Sequence, residues 1–200
     1  MSATRLVFWR HGESEYNRSR RIQGMIDAPL SPLGVAQAQE AAARLVAHAP
    51  VRLFSSDLAR AHDTAAALAA LLGGEVRTDE RFRERFLGGW EDRLYAEVLE
   101  EHPDMIELLR GSRANDGVPA DGEHPETVAA CVLAGLTDAL EATSSDETLV
   151  ITAHGLAILY AVRELLGEDA SATLDPLKNA HWTVLERADA DAPWRLVSHN

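Results

Sequence analysis

Hydrophobic and polar positions change period several times along this chain, and each change predicts an element. Leu6-Val7-Phe8-Trp9 is an unbroken apolar run ending in Arg10-His11-Gly12. Such a run reads as a strand buried on both faces, with the glycine permitting a tight exit. Thr148-Leu149-Val150-Ile151-Thr152 is a second continuous run, rich in β-branched residues and followed by Ala153-His154-Gly155. It predicts the central strand. Val51–Phe54, Glu75–Thr78 and Trp182–Leu185 predict further strands, and Trp194–Val197 an edge strand.

The intervening segments carry helical spacing. Ser31-Pro32 supplies a capping serine and a proline at the first helical position. Val35, Ala38, Ala42 and Leu45 then form one stripe and Gln37, Glu40 and Arg44 another, with Pro50 as the stop. Asp57 is expected to cap the next helix, whose buried stripe is Leu58, Ala61, Ala65, Leu68 and Leu72, and Gly73-Gly74 to end it. Helices are also predicted from about Pro125 to Ala142 and from Leu156 to Leu166. Between Arg83 and Gly122 the pattern is irregular, with short helices near Leu94–Glu101 and Met105–Leu109. Strands alternating with helices predict an α/β fold, a three-layer αβα sandwich with a mostly parallel central sheet. The chain reads as one domain over residues 1–200, with a small cap-like insertion at about 85–122. Ligands of such sheets bind outside the carboxyl ends of the strands.

Composition narrows the function. The length of 200 residues fits one sizeable domain, and a single cysteine, Cys131, excludes a disulfide framework within the chain and a multi-cysteine zinc or iron–sulfur site. It fits a reducing compartment, so a cytoplasmic location is expected. Apolar runs stay well short of the roughly 18 residues of a spanning helix, and the start holds too few for a secretory signal. The net charge of −13 argues against nucleic-acid and membrane partners. Yet the first 24 residues hold Arg5, Arg10, Arg18, Arg20 and Arg21 against only Glu13 and Glu15. A basic corner on an acidic protein predicts a small anion pocket.

His11 and His154 each follow a predicted strand and each precede a glycine, so both belong on one rim of the sheet. Arg10 precedes His11, and Arg60 lies in the first turn of the helix after Val51–Phe54. Two arginines and two histidines there describe a dianion site, with guanidinium groups suited to bidentate phosphate contacts. A metallohydrolase finds no His-Glu-x-x-His run or close histidine cluster, and Arg10 and Arg60 would repel a divalent cation. Neither a metal nor a cofactor is expected.

Arg10-His11-Gly12-Glu13 resembles the signature of the histidine phosphatase superfamily, also called phosphoglycerate-mutase-like. Asn17, Gln23-Gly24, Asp27, Pro29-Leu30-Ser31 and Gly34 are similar to its first loop and helix. Ser55-Ser56-Asp57-Leu58, Arg60-Ala61 and Thr64-Ala65 resemble its second motif, and Arg83-Glu84 with Gly88-Gly89-Trp90-Glu91 its acid-bearing loop. Gly122-Glu123 and Ala153-His154-Gly155 complete a pattern that spans most of the chain.

The resemblance implies phosphoryl transfer through a phosphohistidine on His11. Arg10, Arg60 and His154 would surround the equatorial oxygens, the last as an electrostatic partner if protonated. Asn17 would donate to the same oxygens, and Gln23 and Gly24 would line the mouth. Glu84 would be the proton donor, its acid form favoured beside a dianion, with Glu13 and Glu91 as alternatives. Glu13 is better suited to orient an arginine or close the first loop. Ser55 and Ser56 would hydrogen-bond in the pocket or shape their turn, and Asn179-Ala180-His181-Trp182 lies on the pocket's rim. Cofactor-dependent mutases of the family have a larger insertion after the acid loop than the roughly forty residues between Arg83 and Gly122. That favours the phosphatase branch, with phosphoglycerate mutase as the alternative. Residues 55–65 and 179–183 are similar to actinobacterial members of that branch, while Ser14 and Leu156-Ala157 depart from the usual pattern. The expected partner is a small-molecule phosphate ester, phosphoglycerate derivatives included, selected by residues 85–122. An exposed strand edge near Val184 leaves room for a homodimer.

Overall fold

The structure is a computed structural model that describes residues 3–49, 51–106, 121–167 and 174–200. Six strands among these form one sheet: β1 (Arg5–Arg10), β2 (Val51–Ser55), β3 (Val76–Thr78), β4 (Thr148–Ala153), β5 (Trp182–Glu186) and β6 (Arg195–His199). Their order is β3-β2-β4-β1-β5-β6. The first four in that order run parallel, while β5 and β6 pair antiparallel. The most continuous apolar runs, β1 and β4, lie at the centre because both of their faces are covered.

Side chains alternate across a strand, and here the alternation divides the core. Leu6 and Phe8 of β1, with Leu149 and Ile151 of β4, face a cluster that includes Val132, Leu136 and Ile158. Val7 and Trp9, with Val150, face the opposite cluster of Ala42, Leu45, Leu53 and Leu68. Helices among the described residues include α1 (Glu15–Ser19), α2 (Pro32–Leu45), α3 (Ala59–Leu72), α4 (Tyr95–Glu101), α5 (Pro125–Glu141) and α6 (Gly155–Leu166). The second cluster draws on α2 and α3, the first on α5 and α6. This is the three-layer α/β sandwich expected from the sequence. Trp9 is fully buried and its indole N–H donates to the Ala180 carbonyl at 3.1 Å. Truncating such a ring costs about 3–5 kcal/mol.

Ser31 caps α2 as expected, accepting the Gly34 N–H at 3.0 Å, and Pro32 takes the first helical position. Ala38, Ala42 and Leu45 of the expected stripe face inward, joined by Gly34 and Ala41, while Val35 is exposed. Gly34 is there because the first loop lies directly on the start of the helix, its backbone against that of Glu13. Asp57 does not cap α3. Its carboxylate pairs with Arg83, and the Ala59 N–H is instead accepted by Asp27 at 2.8 Å. Val184 is not at an edge either. β6 covers β5 and leaves Val184 buried, so the sheet edge on that side is β6.

The expected insertion is described over 85–106 and 121–122. There Leu87, Trp90, Val98 and Met105 are buried in the cluster under α5 and α6. The short helix expected near Leu94–Glu101 is α4, while Leu108 and Leu109 of the next, and the stop at Pro50, lie outside the described residues. No helix among the described residues is long and apolar enough to cross a membrane.

Candidate active site

β1 and β4 run side by side with Arg10 opposite Ala153, so the residues after them leave the sheet together. The His11 N–H donates to the Ala153 carbonyl at 3.1 Å, extending the ladder by one step. The rings of His11 and His154 consequently stand 5.1 Å apart, tilted by 59°, and both are buried.

The His11 ring has a defined orientation. Its Nδ1 lies 2.6 Å from the Gly12 carbonyl oxygen. A carbonyl only accepts, so Nδ1 carries the proton and Nε2 the lone pair. Gly12 is itself fixed. Its N–H donates to Thr64 Oγ1 at 3.0 Å, and that hydroxyl donates to the Arg60 carbonyl at 2.7 Å. A Cβ at Gly12 would come 2.4 Å from the Gly34 carbonyl oxygen, and one at Gly34 would come 1.9 Å from that of Glu13. Both glycines are required by this close approach. Glu13 closes the loop: its carboxylate accepts from Ser31 Oγ at 2.7 Å and its carbonyl from the Ser31 N–H at 2.8 Å.

Arg60, fully buried on α3, donates to the carbonyls of Ile26 at 2.7 Å and Gly24 at 2.8 Å. The Arg10 guanidinium donates to the Leu177 carbonyl and lies against Gly155, where a Cβ would approach its Cζ to 3.3 Å. Burial pushes Arg60 down to about 10, against the opposing pull of Glu84, so it stays charged at neutral pH. Burial lowers Arg10 as well, again opposed by Glu84. His11 is held well below the usual histidine range by burial and by the charges of Arg60 and Arg10. The same burial and charges, with His11 added, depress His154. Both imidazoles are neutral at pH 7, so the electrostatic role foreseen for a charged His154 begins from an uncharged ring. Both ring nitrogens of His154 and the Nε atoms of Arg10 and Arg60 are buried and have no hydrogen-bond partner among the described residues.

Glu84 is not a solvated loop residue. Its Oε2 accepts the Leu156 N–H at 3.1 Å, and its Oε1 those of Ala157 at 3.0 Å and Arg85 at 2.9 Å. The carboxyl group therefore sits at the positive end of α6, the helix that His154 caps. The flanking arginines diverge. Arg83 binds Asp57 outside, while fully buried Arg85 donates to the Glu123 carbonyl at 2.7 Å and to the Tyr160 hydroxyl at 2.9 Å. Burial pushes the Tyr160 phenol up to about 12. The Glu123 carboxylate accepts the Phe86 N–H at 2.7 Å, which gives the Gly122-Glu123 motif a structural use.

The remaining expected residues are brought to the same rim. Asn17 Oδ1 accepts the Ser14 N–H at 3.2 Å in a capping box, and Asn179 Nδ2 at 3.0 Å. Gln23 Oε1 accepts the Ser14 hydroxyl at 2.6 Å. Gly24 has a positive φ of 51°, and its Cβ would fall 1.8 Å from Glu91 Oε1, which ties Met25 to Leu87. Glu13 and Glu91 are thus committed to loop structure. Ser55 and Ser56 shape their turn: Ser55 Oγ donates to the Ser56 carbonyl at 2.8 Å, and Ser56 Oγ accepts the Leu58 N–H at 3.3 Å. Asn179 does reach the site, its Nδ2 lying 3.2 Å from the His11 carbonyl oxygen. Thr64 and Asp27 were not foreseen in their roles. The signal for Thr64 is its position one turn beyond Arg60 on the same helical face. Among the described residues no group of three or more His, Cys, Asp and Glu side chains is placed to hold a metal ion. What the rim offers is the oriented lone pair of His11 Nε2, a second neutral imidazole in His154, two guanidinium groups and a tethered carboxyl group.

Residues 6–200 match the histidine phosphatase superfamily (branch 1). A glucosyl-3-phosphoglycerate phosphatase from Mycolicibacterium vanbaalenii is 37% identical over 98% of this chain and 94% of its own. A probable phosphoglycerate mutase, GpmB, from Enterobacter sp. is 32% identical over 82% of this chain and 75% of its own. Among solved structures, a mycobacterial glucosyl-3-phosphoglycerate phosphatase in complex with VO3 superposes with a TM-score of 0.84 at 35% identity, covering 99% of both chains.

Proposed function

The chain belongs to the histidine phosphatase superfamily, and from that premise we propose that it hydrolyses a small phosphate monoester through a phosphohistidine on His11. The observation that carries this reading is the 2.6 Å bond between His11 Nδ1 and the Gly12 carbonyl, which leaves Nε2 as a lone pair beside Arg10, Arg60 and His154.

Nε2 attacks phosphorus in line as the ester P–O bond breaks, and the leaving alkoxide takes a proton from Glu84. Arg10 and Arg60 neutralise the equatorial oxygens in transit, and an N–H of His154 donates to the same group. The dianion favours protonation of His154, opposing the effect of the two arginines. Asn17 and Gln23 have their amide oxygens committed, so in each the NH2 group is what remains to donate to the ester. Gly24 contributes by holding Arg60. In the second half, water attacks phosphorus, Glu84 takes its proton, and the P–N bond breaks to release orthophosphate and neutral His11. The full-length similarity to a glucosyl-3-phosphoglycerate phosphatase supports a phosphoglycerate derivative as substrate.

A product assay on 3-phosphoglycerate and its glucosylated form, with and without 2,3-bisphosphoglycerate, tests the reading. The expected product is orthophosphate, released without the bisphosphate. Rapid isomerisation to 2-phosphoglycerate that requires the bisphosphate would instead establish a mutase.

A further inference from the structure

The basic corner noted in the sequence is only partly absorbed by this site. Arg10 belongs to it, while Arg5 pairs with Glu186, Arg18 with Glu15 and Arg21 with Asp92. Arg20 has no carboxylate partner and no side-chain hydrogen bond among the described residues, although acidic residues outnumber basic ones 32 to 19. Its backbone lies in the left-handed region, φ 57° and ψ 38°, at the end of α1. Glycine or asparagine ordinarily fills such a position. Arginine is held there from both sides: its N–H donates to the Asn17 carbonyl at 3.1 Å, and its carbonyl accepts the Tyr95 N–H at 2.9 Å. Strained backbone fixed in this way clusters at ligand sites.

Arg20, an exposed residue, lines a cavity of about 470 Å³ that is open to solvent, together with Asn17, Arg21, Leu94, Tyr95 and Ala96. Asn17 is the wall shared with the phosphoryl site, since one amide group, Asn179 Nδ2, bonds both Asn17 Oδ1 and the His11 carbonyl. The lining combines carbon-rich surface with one unpaired cation, beside a site built for a dianion.

We propose that this cavity binds the non-phosphate end of the substrate, with Arg20 receiving a carboxylate, so that phosphate esters of hydroxy acids are selected. Leu94 and Tyr95 cover the carbon body while the guanidinium group forms a charge-assisted pair with the acid. This inference rests on the phosphatase reading above.

The test compares kcat/KM for 3-phosphoglycerate and for glycerol 3-phosphate, which carries a hydroxymethyl group in place of the carboxylate. The wild-type protein should prefer the acid by about tenfold or more, and Arg20→Ala should lose that preference through KM for the acid. Arg20→Gly removes the guanidinium while suiting the left-handed backbone, and should show the same loss without impaired folding. Arg20→Lys should recover part of it. A preference retained in Arg20→Gly, or absent from a wild-type protein that hydrolyses both esters, would overturn the subsite alone. Failure of the wild-type protein to release orthophosphate from either ester or from p-nitrophenyl phosphate would overturn the phosphatase reading and this subsite with it.

Discussion

Glu84 Oε2 accepts the backbone N–H of Leu156 at 3.1 Å, across 72 residues of sequence. The bond fastens the acid-bearing loop to the first turn of the helix that His154 opens. The position of the carboxyl group is thereby set by the same element that places the second histidine.

If Glu84 supplies the leaving-group proton, its removal matters in proportion to the need for that proton. Glu84→Gln should slow alkyl phosphates by about 10²–10⁴-fold and p-nitrophenyl phosphate far less. Steady-state kinetics across a leaving-group series checks this. An equal loss on good and poor leaving groups would move the acid elsewhere.

The pH profile should reveal the two arginines. Burial, Arg60 and Arg10 together hold His11 below its usual range, so the nucleophile stays neutral to well below pH 6.5. The acid limb of kcat/KM should therefore lie below that pH. In Arg60→Ala it should move upward, because a charge that disfavours imidazolium is gone. The same variant should lose about 3–4 kcal/mol of transition-state stabilisation, the scale of one strong oxyanion donor.

His154 links the site to folding. In the unfolded chain a histidine binds a proton below about pH 6.5, whereas in the folded protein it does so only at lower pH. Between those values the unfolded state holds more protons, so stability rises with pH and is lost as pH falls. Thermal unfolding from pH 7 to pH 5 should show a falling Tm, with a shallower slope in His154→Asn. An unchanged slope would mean that His154 titrates normally in the folded protein.

Tyr160→Phe removes the oxygen that accepts Arg85 Nη1 at 2.9 Å. The Nη2 of Arg85 already has no partner among the described residues, so the variant leaves a fully buried guanidinium with two unmatched nitrogens. The expected cost is about 1–3 kcal/mol in urea unfolding. No loss would show that the hydroxyl contact does not hold the loop.

Some of this was legible in the sequence for a physical reason. β1 and β4 are buried on both faces, so they leave continuous apolar runs, and the site residues follow directly at their carboxyl ends. Arg10, His11 and His154 could be placed on one rim from that alone. The start of α3 was misread because Asp57 satisfies an arginine 26 residues away, while the capping carboxylate comes from Asp27, 32 residues upstream of Ala59. Local pattern cannot rank such distant partners. The tether of Glu84 was invisible for a different reason: its donors are backbone N–H groups, which leave no side-chain signature. In α2 the pattern placed Ala38, Ala42 and Leu45 inward correctly but not Gly34, which is buried by close approach of the Glu13 backbone and so leaves no hydrophobic signature.

The central claim is a covalent bond between phosphorus and His11 Nε2. Acid quenching, however, would destroy a phosphoramidate, so the enzyme is mixed rapidly with a labelled phosphate ester, stopped in alkali, and its peptides mapped. The account predicts base-stable, acid-labile phosphate on His11 that forms and decays within the turnover time, and neither label nor turnover in His11→Ala. Near-wild-type turnover in His11→Ala, or label on His154 instead, would contradict it.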